Sequence, residues 1–388
     1  MSSVFPYKSA IVVTCFPKQS PWLAKEVEGL GYTVDSTSVS EVEISGYMDD
    51  CMRLNMYLRT AGRVLYQIQR FKAKDAKELY NRIKSIPWEK YLDNDGYFSI
   101  TSYVKNDSIT DDRFANVRVK DAIADRMVDK TGRRPNSGPS RDHTVIHLYW
   151  KDDKVRLYFD TSGNTISKHG YRKHPFKAPM IESLAASTII ASGWDKASSF
   201  VNPMCGSGTL AIEAALMAIN KAPGLTRDNF GFMHINGYDK SGWEGYQRLA
   251  GLQVKKEIDF KIIATDLDYD AMKAAWANAR EAGVENIIEL SRCDFRETPM
   301  PVENGVVMIN PEYGERLGAD KDLEAIYKAI GDFFKQKCKG YKGFVFTGNL
   351  DLAKHIGLRT KRRIEFLNGK IDCRLLTYEL YDGTRREK

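Results

Sequence analysis

The chain has 388 residues, 43% of them hydrophobic, and a net charge of +7, which is typical of a globular protein of two or three domains. No apolar run approaches the ~20 residues that cross a bilayer, and residues 1–8 lack the order of a signal peptide, so we predict a cytoplasmic protein with no membrane partner. Six cysteines without a Cys-x-x-Cys pair and six histidines without ligand spacing argue against a zinc site and a disulfide framework, and we expect no metal.

The first 165 residues carry the pattern of two small α+β units. In residues 1–65 the pattern predicts strands at 8–13, 33–39 and 41–44 and helices at 21–30 and 49–59. From there to residue 165 it predicts strands at 64–71, 98–104, 145–150 and 154–160 and helices at 75–85 and 113–129. The apolar face of the last helix is predicted from Phe114, Val117, Ala122, Ile123 and Met127.

The positive charge of the chain is unevenly spread. Residues 61–170 hold 21 Lys and Arg against 15 Asp and Glu. A local positive surface attracts a phosphate backbone. A solvated surface with a basic bias explains the same count equally well.

After a linker at 170–175, alternating strands and helices predict a parallel α/β sheet. Strands are predicted at 200–201, 261–264, 286–290, 305–309 and 343–347, and helices at 177–192, 210–219, 269–282 and 321–337. A hairpin around Asn368-Gly369 closes the chain. A Rossmann-like parallel sheet that ends in an antiparallel hairpin is the layout of class I methyltransferases.

A glycine turn joins the first strand of this sheet to a helix and is a candidate nucleotide cradle. Its residues are Asn202, Pro203, Met204, Cys205, Gly206, Ser207, Gly208 and Thr209. Glycines let the backbone approach a ligand, and the N-terminus of the helix presents unpaired N–H groups. A turn that serves only to connect strand and helix is an equally good interpretation of this stretch alone.

Acidic residues follow two further strands. Asp266 comes first after its strand, where a carboxylate meets the ribose hydroxyls of a bound nucleoside. Asp268 is predicted to cap the next helix. Asp294 and Phe295 are candidates for binding the amino group and covering the ring of an adenine. A capping role is the alternative for Asp266 and for Asp294.

The strand at 305–309 ends in Asn310, Pro311, Glu312 and Tyr313. An exocyclic base amine is a poor nucleophile, because its lone pair is delocalised into the ring. The Asn310 side-chain oxygen and the Pro311 carbonyl would accept its two hydrogens and direct the lone pair at a methyl donor. Tyr313 would stack on an unstacked base. A simple turn after the strand is the less favoured interpretation.

These features together resemble THUMP-containing class I S-adenosylmethionine-dependent RNA guanine-N2 methyltransferases, in particular the bacterial 23S rRNA enzymes. The resemblance is carried by residues 119–126, 131–135, 170–172, 178–185, 204–209 and 313–317. It implies a ferredoxin-like domain at 1–65, a THUMP RNA-binding domain at 66–165 and a methyltransferase domain at 170–388. It also implies S-adenosyl-L-methionine at 202–209, Asp266, Asp294 and Phe295, and Asn310, Pro311 and Tyr313 as catalytic residues.

Two residues depart from the family pattern. The chain has Asn202 where relatives usually have Asp, and Glu312 where they usually have a second proline. The expected partner is RNA, with rRNA favoured and tRNA as the alternative. A non-catalytic RNA-binding relative is a second alternative because of these two residues. A nicotinamide-dependent oxidoreductase is a third, although it gives residues 310–313 and the closing hairpin no role.

Overall fold

The structure is a computed structural model that describes residues 4–106, 109, 111–176, 179–313 and 320–381. Parts of two matched motifs, namely residue 178 and residues 314–317, lie outside these ranges. The helices and strands up to residue 160 are β1 (Ser9–Thr14), α1 (Ser20–Gly29), β2 (Ser36–Thr37), β3 (Glu41–Gly46), α2 (Met48–Tyr57), β4 (Arg63–Lys72), α3 (Ala76–Lys84), β5 (Tyr97–Lys105), α4 (Asp112–Thr131), β6 (Asn136–Ser137), β7 (Thr144–Lys151) and β8 (Lys154–Asp160).

After residue 160, helices and strands alternate along most of the chain. They are α5 (Glu182–Ser192), β9 (Ser199–Pro203), α6 (Thr209–Ala218), α7 (Lys240–Leu252), β10 (Ile262–Asp266), α8 (Tyr269–Ala282), β11 (Ile288–Arg292), β12 (Gly305–Ile309), α9 (Asp320–Lys337), β13 (Lys342–Thr347), α10 (Leu350–Lys354), β14 (Arg362–Asn368) and β15 (Ile371–Glu379). The sequence pattern did not predict β6, α7 or α10. No helix in the described ranges is long and apolar enough to cross a membrane.

The chain forms two compact units. The first contains Met1–Cys15, Leu23–Ser167 and Pro223–Leu249. Its strands form one sheet in the order β2-β3-β1-β4-β8-β7-β5-β6, so the two small α+β patterns share a single sheet. The boundaries at 1–65, 66–165 and 170–388 stay a prediction.

Helix α4 buries Ala122, Ile123 and Met127 of its predicted apolar face, as expected, but not Phe114 and Val117. Ala115, Val119 and Ile123 are fully buried, whereas Phe114 and Val117 are 52% and 44% exposed. The buried residues recur every four positions and form one continuous stripe, and Phe114 and Val117 lie on its flank. Including Phe114 and Val117 in the core face was therefore wrong.

The second unit contains Phe16–Trp22, Lys168–Ala222 and Ala250–Lys388. Its sheet has the order β11-β10-β9-β12-β13-β15-β14, with β9 to β13 parallel and β15 antiparallel to β13. Apolar side chains of the strands pack against helices in two clusters, one centred on Phe200 and Met308 and the other on Val201 and Ile309. The predicted class I methyltransferase layout with a closing hairpin is confirmed.

Candidate functional site

The carboxyl ends of β9, β10 and β12 meet at one edge of the second sheet. Asn202 in β9 lies beside Ala264 in β10. The amide of Cys205 donates to the carbonyl of Thr265 at 2.9 Å, which holds the turn after β9 against β10. The order of strands reverses at β9, and such a reversal opens a crevice for ligands in doubly wound sheets.

The turn at 202–209 contains three residues in a left-handed backbone. Met204, Gly206 and Gly208 have φ values of 55°, 56° and 82°. A Cβ at Gly206 would meet no atom of the described residues within 4 Å, whereas one at Gly208 would lie 3.1 Å from the Cβ of Ala275. Gly208 thus allows α6 and α8 to approach each other, and Gly206 leaves open space in which a ligand can contact the backbone.

The other residues of the turn form its support. Pro203 and Ser207 are buried, and Thr209 is the first residue of α6. The thiol of Cys205 lies 3.9 Å from the sulfur of Met272. Burial raises the pKa of this thiol, with a further contribution from the charge of Asp266, so it stays protonated.

Asp266, at the end of β10, holds the turn in place through hydrogen bonds. One carboxylate oxygen accepts from the amide of Gly206 at 2.9 Å, and the other accepts from the amide of Asp268 at 3.0 Å. Asp268 caps α8 through the amides of Asp270 and Ala271, as predicted. A carboxylate has about four acceptor positions, so Asp266 keeps capacity for ribose hydroxyls. That role remains a prediction.

Asp294 has partners within its own turn. Its carboxylate accepts from the backbone amide of Arg296 at 2.9 Å and from the Arg296 guanidinium at 2.7 and 2.5 Å. The guanidinium holds the pKa of this carboxyl below its usual value. Phe295 packs edge-on against Phe333, with ring centroids 6.0 Å apart. The cap offered by the sequence is therefore present, and the adenine-binding role of both residues stays a prediction.

Two asparagine oxygens near this edge have no partner among the described residues. Asn202 is buried and donates to the carbonyl of Met308 at 2.9 Å, which ties β9 to β12, but its Oδ1 accepts no hydrogen bond. Asn310, directly after β12, likewise has a buried, unpartnered Oδ1. An unsatisfied buried acceptor costs about 1–3 kcal/mol. These oxygens fit a ligand that brings N–H donors.

The segment that follows β12, residues 310–313, is called the acceptor element after its predicted role. It continues from Asn310 with a buried Pro311 and an exposed Glu312. The Glu312 carbonyl accepts from the hydroxyl of Tyr327 at 3.4 Å, and that hydroxyl also lies 2.7 Å from Thr347 Oγ1. Helix α9 and strand β13 thereby hold the backbone of this element.

Tyr313 is anchored by the closing hairpin. Its phenol oxygen accepts from the side-chain amide of Asn368 at 2.9 Å and lies 3.9 Å from Cys373 Sγ. The ring packs edge-on against Phe346 at 6.3 Å. A Cβ at Gly348 would come within 2.9 Å of the ring, so a larger residue at this position would force the ring to shift. Burial raises the pKa of the phenol, which is therefore neutral.

The linker motif around Tyr171 is bound to the helices of the second unit. His169 Nδ1 lies 2.8 Å from Glu213 Oε1, and the Tyr171 hydroxyl donates to the same oxygen at 2.9 Å. Arg172 donates to Glu182 at 2.7 Å. These buried contacts fix the linker to α5 and α6 and explain the polar residues of the motif structurally.

Sequence reasoning missed Asn278 of α8. Its side-chain amide donates to the carbonyls of His174 and Ser207 at 2.9 and 3.2 Å, and its oxygen accepts from the His174 amide at 3.0 Å. It therefore joins the linker to the glycine turn. One signal was available, because Asn278 is a polar residue at helical spacing from the buried Ala271, Ala275 and Ala282.

Comparison with known families agrees with this geometry. Residues 169–377 match the model of the RMKL-like methyltransferase domain, residues 73–160 the THUMP domain and residues 10–65 the RlmL ferredoxin-like domain. The first match covers more than half of the chain. The chain belongs to the RMKL-like methyltransferase family. The resemblance inferred from the motifs is thus confirmed.

Curated relatives of this family member carry the name ribosomal RNA large subunit methyltransferase K/L. The protein of Syntrophotalea carbinolica is 35% identical over 374 residues, which cover 93% of this chain and 52% of the relative. The protein of Psychromonas ingrahamii is 35% identical over 368 residues, with 93% and 49% covered. The chain therefore spans about half the length of these relatives.

Two solved structures match almost the whole length of this chain. SMU.472, which carries a provisional description as a methyltransferase and was crystallised with SAH, superposes with a TM-score of 0.88 at 28% identity, covering 97% of this chain and 100% of that one. A possible methylase from Clostridium difficile 630 has a TM-score of 0.86 at 30% identity, with 98% and 100% covered.

Among the described residues of the present chain, no group of three or more His, Cys, Asp or Glu is placed to hold a metal ion.

Proposed function

We propose that this RMKL-like protein transfers a methyl group from S-adenosylmethionine to the exocyclic N2 amine of a guanine in large-subunit rRNA. The observation that carries the proposal is the buried Oδ1 of Asn310, which has no partner among the described residues. Asn310 directly follows β12 and precedes Pro311 and Tyr313. β12 pairs with β9, which leads into the glycine turn. Donor and acceptor elements thus occupy neighbouring strand ends.

Residues 202–209 and Asp266 hold the cofactor in this proposal. Open space at Gly206 admits a ligand against the backbone, and Asp266 offers free lone pairs to ribose hydroxyls. Asn202 Oδ1 accepts an N–H of the cofactor's amino group, and Asp294 with Phe295 faces the adenine. The cofactor supplies a methyl group on a sulfonium, and the protein supplies its alignment.

Asn310 and Pro311 orient the acceptor amine. Asn310 Oδ1 and the Pro311 carbonyl each accept one amine hydrogen, so the nitrogen lone pair points away from both. Because Asn310 Oδ1 is shielded from solvent in the structure, its surroundings must give way when a base enters. The neutral Tyr313 ring stacks on the base and defines its plane.

Glu312 favours guanine over adenine in this proposal. It is exposed next to the acceptor element, and its backbone is held by Tyr327. A carboxylate accepts from the N1–H of guanine, whereas adenine presents an acceptor at N1 and would be repelled. The residue that departs from the family pattern therefore supports a guanine substrate.

A non-catalytic RNA-binding role is the second candidate, and it is favoured by Asn202. Its amide nitrogen is committed to Met308, and an asparagine carries no negative charge for the cofactor's ammonium group. Calorimetry with S-adenosylhomocysteine separates the two functions. Binding by the natural chain supports the enzyme, whereas binding that arises only in Asn202→Asp with Glu312→Pro supports the RNA-binding role.

Transfer from labelled S-adenosylmethionine to unmodified 23S rRNA and to tRNA tests the enzyme directly. We expect N2-methylguanine in digested rRNA, identified by mass spectrometry, and its loss in Asn310→Ala. Asn286→Ala, at an exposed asparagine, is the matched control and should retain activity. The proposal is contradicted if neither RNA is methylated, or if the Asn310→Ala variant is as active as the control. If only tRNA is methylated, the enzyme is correct but its substrate is tRNA and not rRNA.

A further inference from the structure

The sheet of the first unit carries a row of four lysines across adjacent strands. Lys105 of β5 pairs with Lys151 of β7, Lys151 with Lys154 of β8, and Lys154 with Lys72 of β4. All four are exposed. Lys72 has a counter-charge in Asp153 at 2.9 Å. Like charges directly opposite each other destabilise a sheet, so a row of this kind calls for an anion.

A second row lies two residues further along the same face. Here Tyr103 pairs with Tyr149, Tyr149 with Arg156, and Arg156 with Arg70. Residues two apart share a face, and the two rows are about 7 Å apart along the strands. The rings of Tyr103 and Tyr149 stack, with centroids 5.2 Å apart and planes 15° apart. We call the surface made by both rows the basic sheet face.

The opposite face of these strands forms the main core of the unit, whereas on the basic sheet face Tyr149 packs against a small buried cluster of Val12, Leu65 and Tyr158. Leu148, Trp150, Val155 and Leu157 are fully buried and belong to the cluster that includes the apolar residues of α3 and α4. On the basic sheet face, in contrast, Tyr103 remains 48% exposed. A large aromatic ring that stays exposed beside Lys105 and Lys151 is not explained by packing.

We propose that the basic sheet face binds a single-stranded segment of RNA, with a base stacked on Tyr103 and phosphates on the lysine row. Stacking on exposed aromatic rings of a sheet requires unpaired bases, which duplex RNA does not offer. The cations complement the backbone of the strand, and the two rows separate base contacts from phosphate contacts. The proposal rests on RNA being the substrate class, and it concerns binding that needs no methyl transfer.

Binding of a fluorescent 12-nucleotide oligouridine to the full chain, without cofactor, tests the lysine row. Lys105→Ala/Lys151→Ala/Lys154→Ala should weaken binding at least tenfold at about 0.1 M salt and reduce the slope of log affinity against log salt by about 2. Its melting temperature should not fall, because repulsion between the lysines is removed. Lys74→Ala/Lys77→Ala/Lys130→Ala removes the same charge from exposed positions around α3 and α4 and should bind almost as the natural chain does.

The stacking contact is tested with Tyr103→Ala and Tyr103→Phe. We expect Tyr103→Ala to weaken oligouridine binding about tenfold with an unchanged salt slope, and Tyr103→Phe to bind as before. Equal losses in both lysine variants, or no loss in the first, overturn the proposal. The proposal is also overturned if Tyr103→Ala binds oligouridine as tightly as the natural chain does and duplex RNA binds as tightly as oligouridine. The surface would then bind phosphates in general. Because methyl transfer is not measured, these outcomes are independent of the catalytic proposal.

Discussion

The side-chain amide of Asn368 donates to the phenol oxygen of Tyr313 across 55 residues of sequence, at 2.9 Å. Asn368 ends β14 in the closing hairpin, and Tyr313 belongs to the element that follows β12. Cys373 on β15 approaches the same oxygen at 3.9 Å. The hairpin that distinguishes this sheet therefore also orients the aromatic ring of the proposed acceptor site.

Replacing Asn368 by alanine should lower kcat for methyl transfer by up to about tenfold, the effect of one hydrogen bond. The physical reason is that Tyr313 keeps its ring but loses the donor that fixes its tilt. Asn368 lies in the hairpin and not at the glycine turn, so the affinity for S-adenosylhomocysteine should not change. Steady-state kinetics and calorimetry on the same preparation measure the two quantities.

A double-mutant cycle with Tyr313→Phe distinguishes this contact from a general effect on the hairpin. If the contact matters, Tyr313→Phe and Asn368→Ala each lower kcat and the double variant is no worse than either. Additive losses would show that the two residues act separately, and the orienting role of Asn368 would then be wrong.

Gly206→Ala should abolish much of the cofactor affinity at a modest cost in stability. An alanine at φ 56° costs about 1–2 kcal/mol. Its methyl group enters the open space at the turn, and a clash of this kind should weaken S-adenosylhomocysteine binding more than about tenfold.

Gly193→Ala is a matched control for this change. Gly193 has φ 70° and follows α5, so its backbone penalty is similar, and a Cβ there would also meet no atom within 4 Å in the part of the chain that the structure describes. We expect equal decreases in melting temperature by scanning calorimetry and a loss of ligand affinity in Gly206→Ala alone. Equal affinity in both variants would place the cofactor away from Gly206.

Asn278→Ala should reduce both the stability of the second unit and cofactor binding. The change leaves the carbonyls of His174 and Ser207 and the amide of His174 without their partner, at a cost of about 3 kcal/mol in the free energy of unfolding. The glycine turn loses its link to α8. Scanning calorimetry and S-adenosylhomocysteine titration measure the two effects.

Asn55→Ala provides the comparison, because Asn55 is also buried but belongs to the first unit. Its amide donates to the carbonyl of Cys51 and to Thr161, and its oxygen accepts from Ser162. A similar loss of stability with intact ligand affinity is expected there. If both variants lose affinity to the same degree, Asn278 has no specific role in positioning the turn.

Much of the fold could be predicted from local patterns in the sequence. The bounds of α8 and β12 agree with the predicted 269–282 and 305–309, since Asp268 and Gly283 cap the helix and an unbroken apolar run forms the strand. The buried face of α4 was predicted only in part, because Phe114 and Val117 are apolar at helical spacing yet lie beside the buried stripe. Apolarity alone does not decide which of two adjacent faces is covered.

The candidate site was predictable where it lies at strand ends and not where it depends on distant contacts. The positions of residues 202–209, Asp266 and Asn310 follow from the strand order. The partners of Asn278 and Asn368 lie 71 and 55 residues or more away, and no local pattern indicates them. Asn368 was predicted only as a turn residue, which is its backbone role.

Burial of His147 predicts a specific dependence of stability on pH. His147 lies in β7, and its Nδ1 is 2.9 Å from Thr101 Oγ1. Burial lowers its pKa from 6.5 to about 4, with contributions from the charges of Arg63 and Arg141. Above pH 6.5 both the folded and the unfolded imidazole are neutral. As pH falls from 6.5 towards 4, the unfolded chain takes up the proton first, so the folded state loses stability in this window.

His147→Gln should remove this contribution while keeping a group that can hydrogen-bond to Thr101. We expect its melting temperature to fall less than that of the natural chain between pH 7 and pH 4.5, a range that spans most of the window from about 6.5 to about 4. His355→Gln, at an exposed histidine, is the control and should follow the natural chain. If the melting temperatures of all three proteins fall in parallel with pH, His147 takes up a proton equally well in the folded and unfolded states. The prediction that its burial destabilises the folded state at low pH would then be wrong.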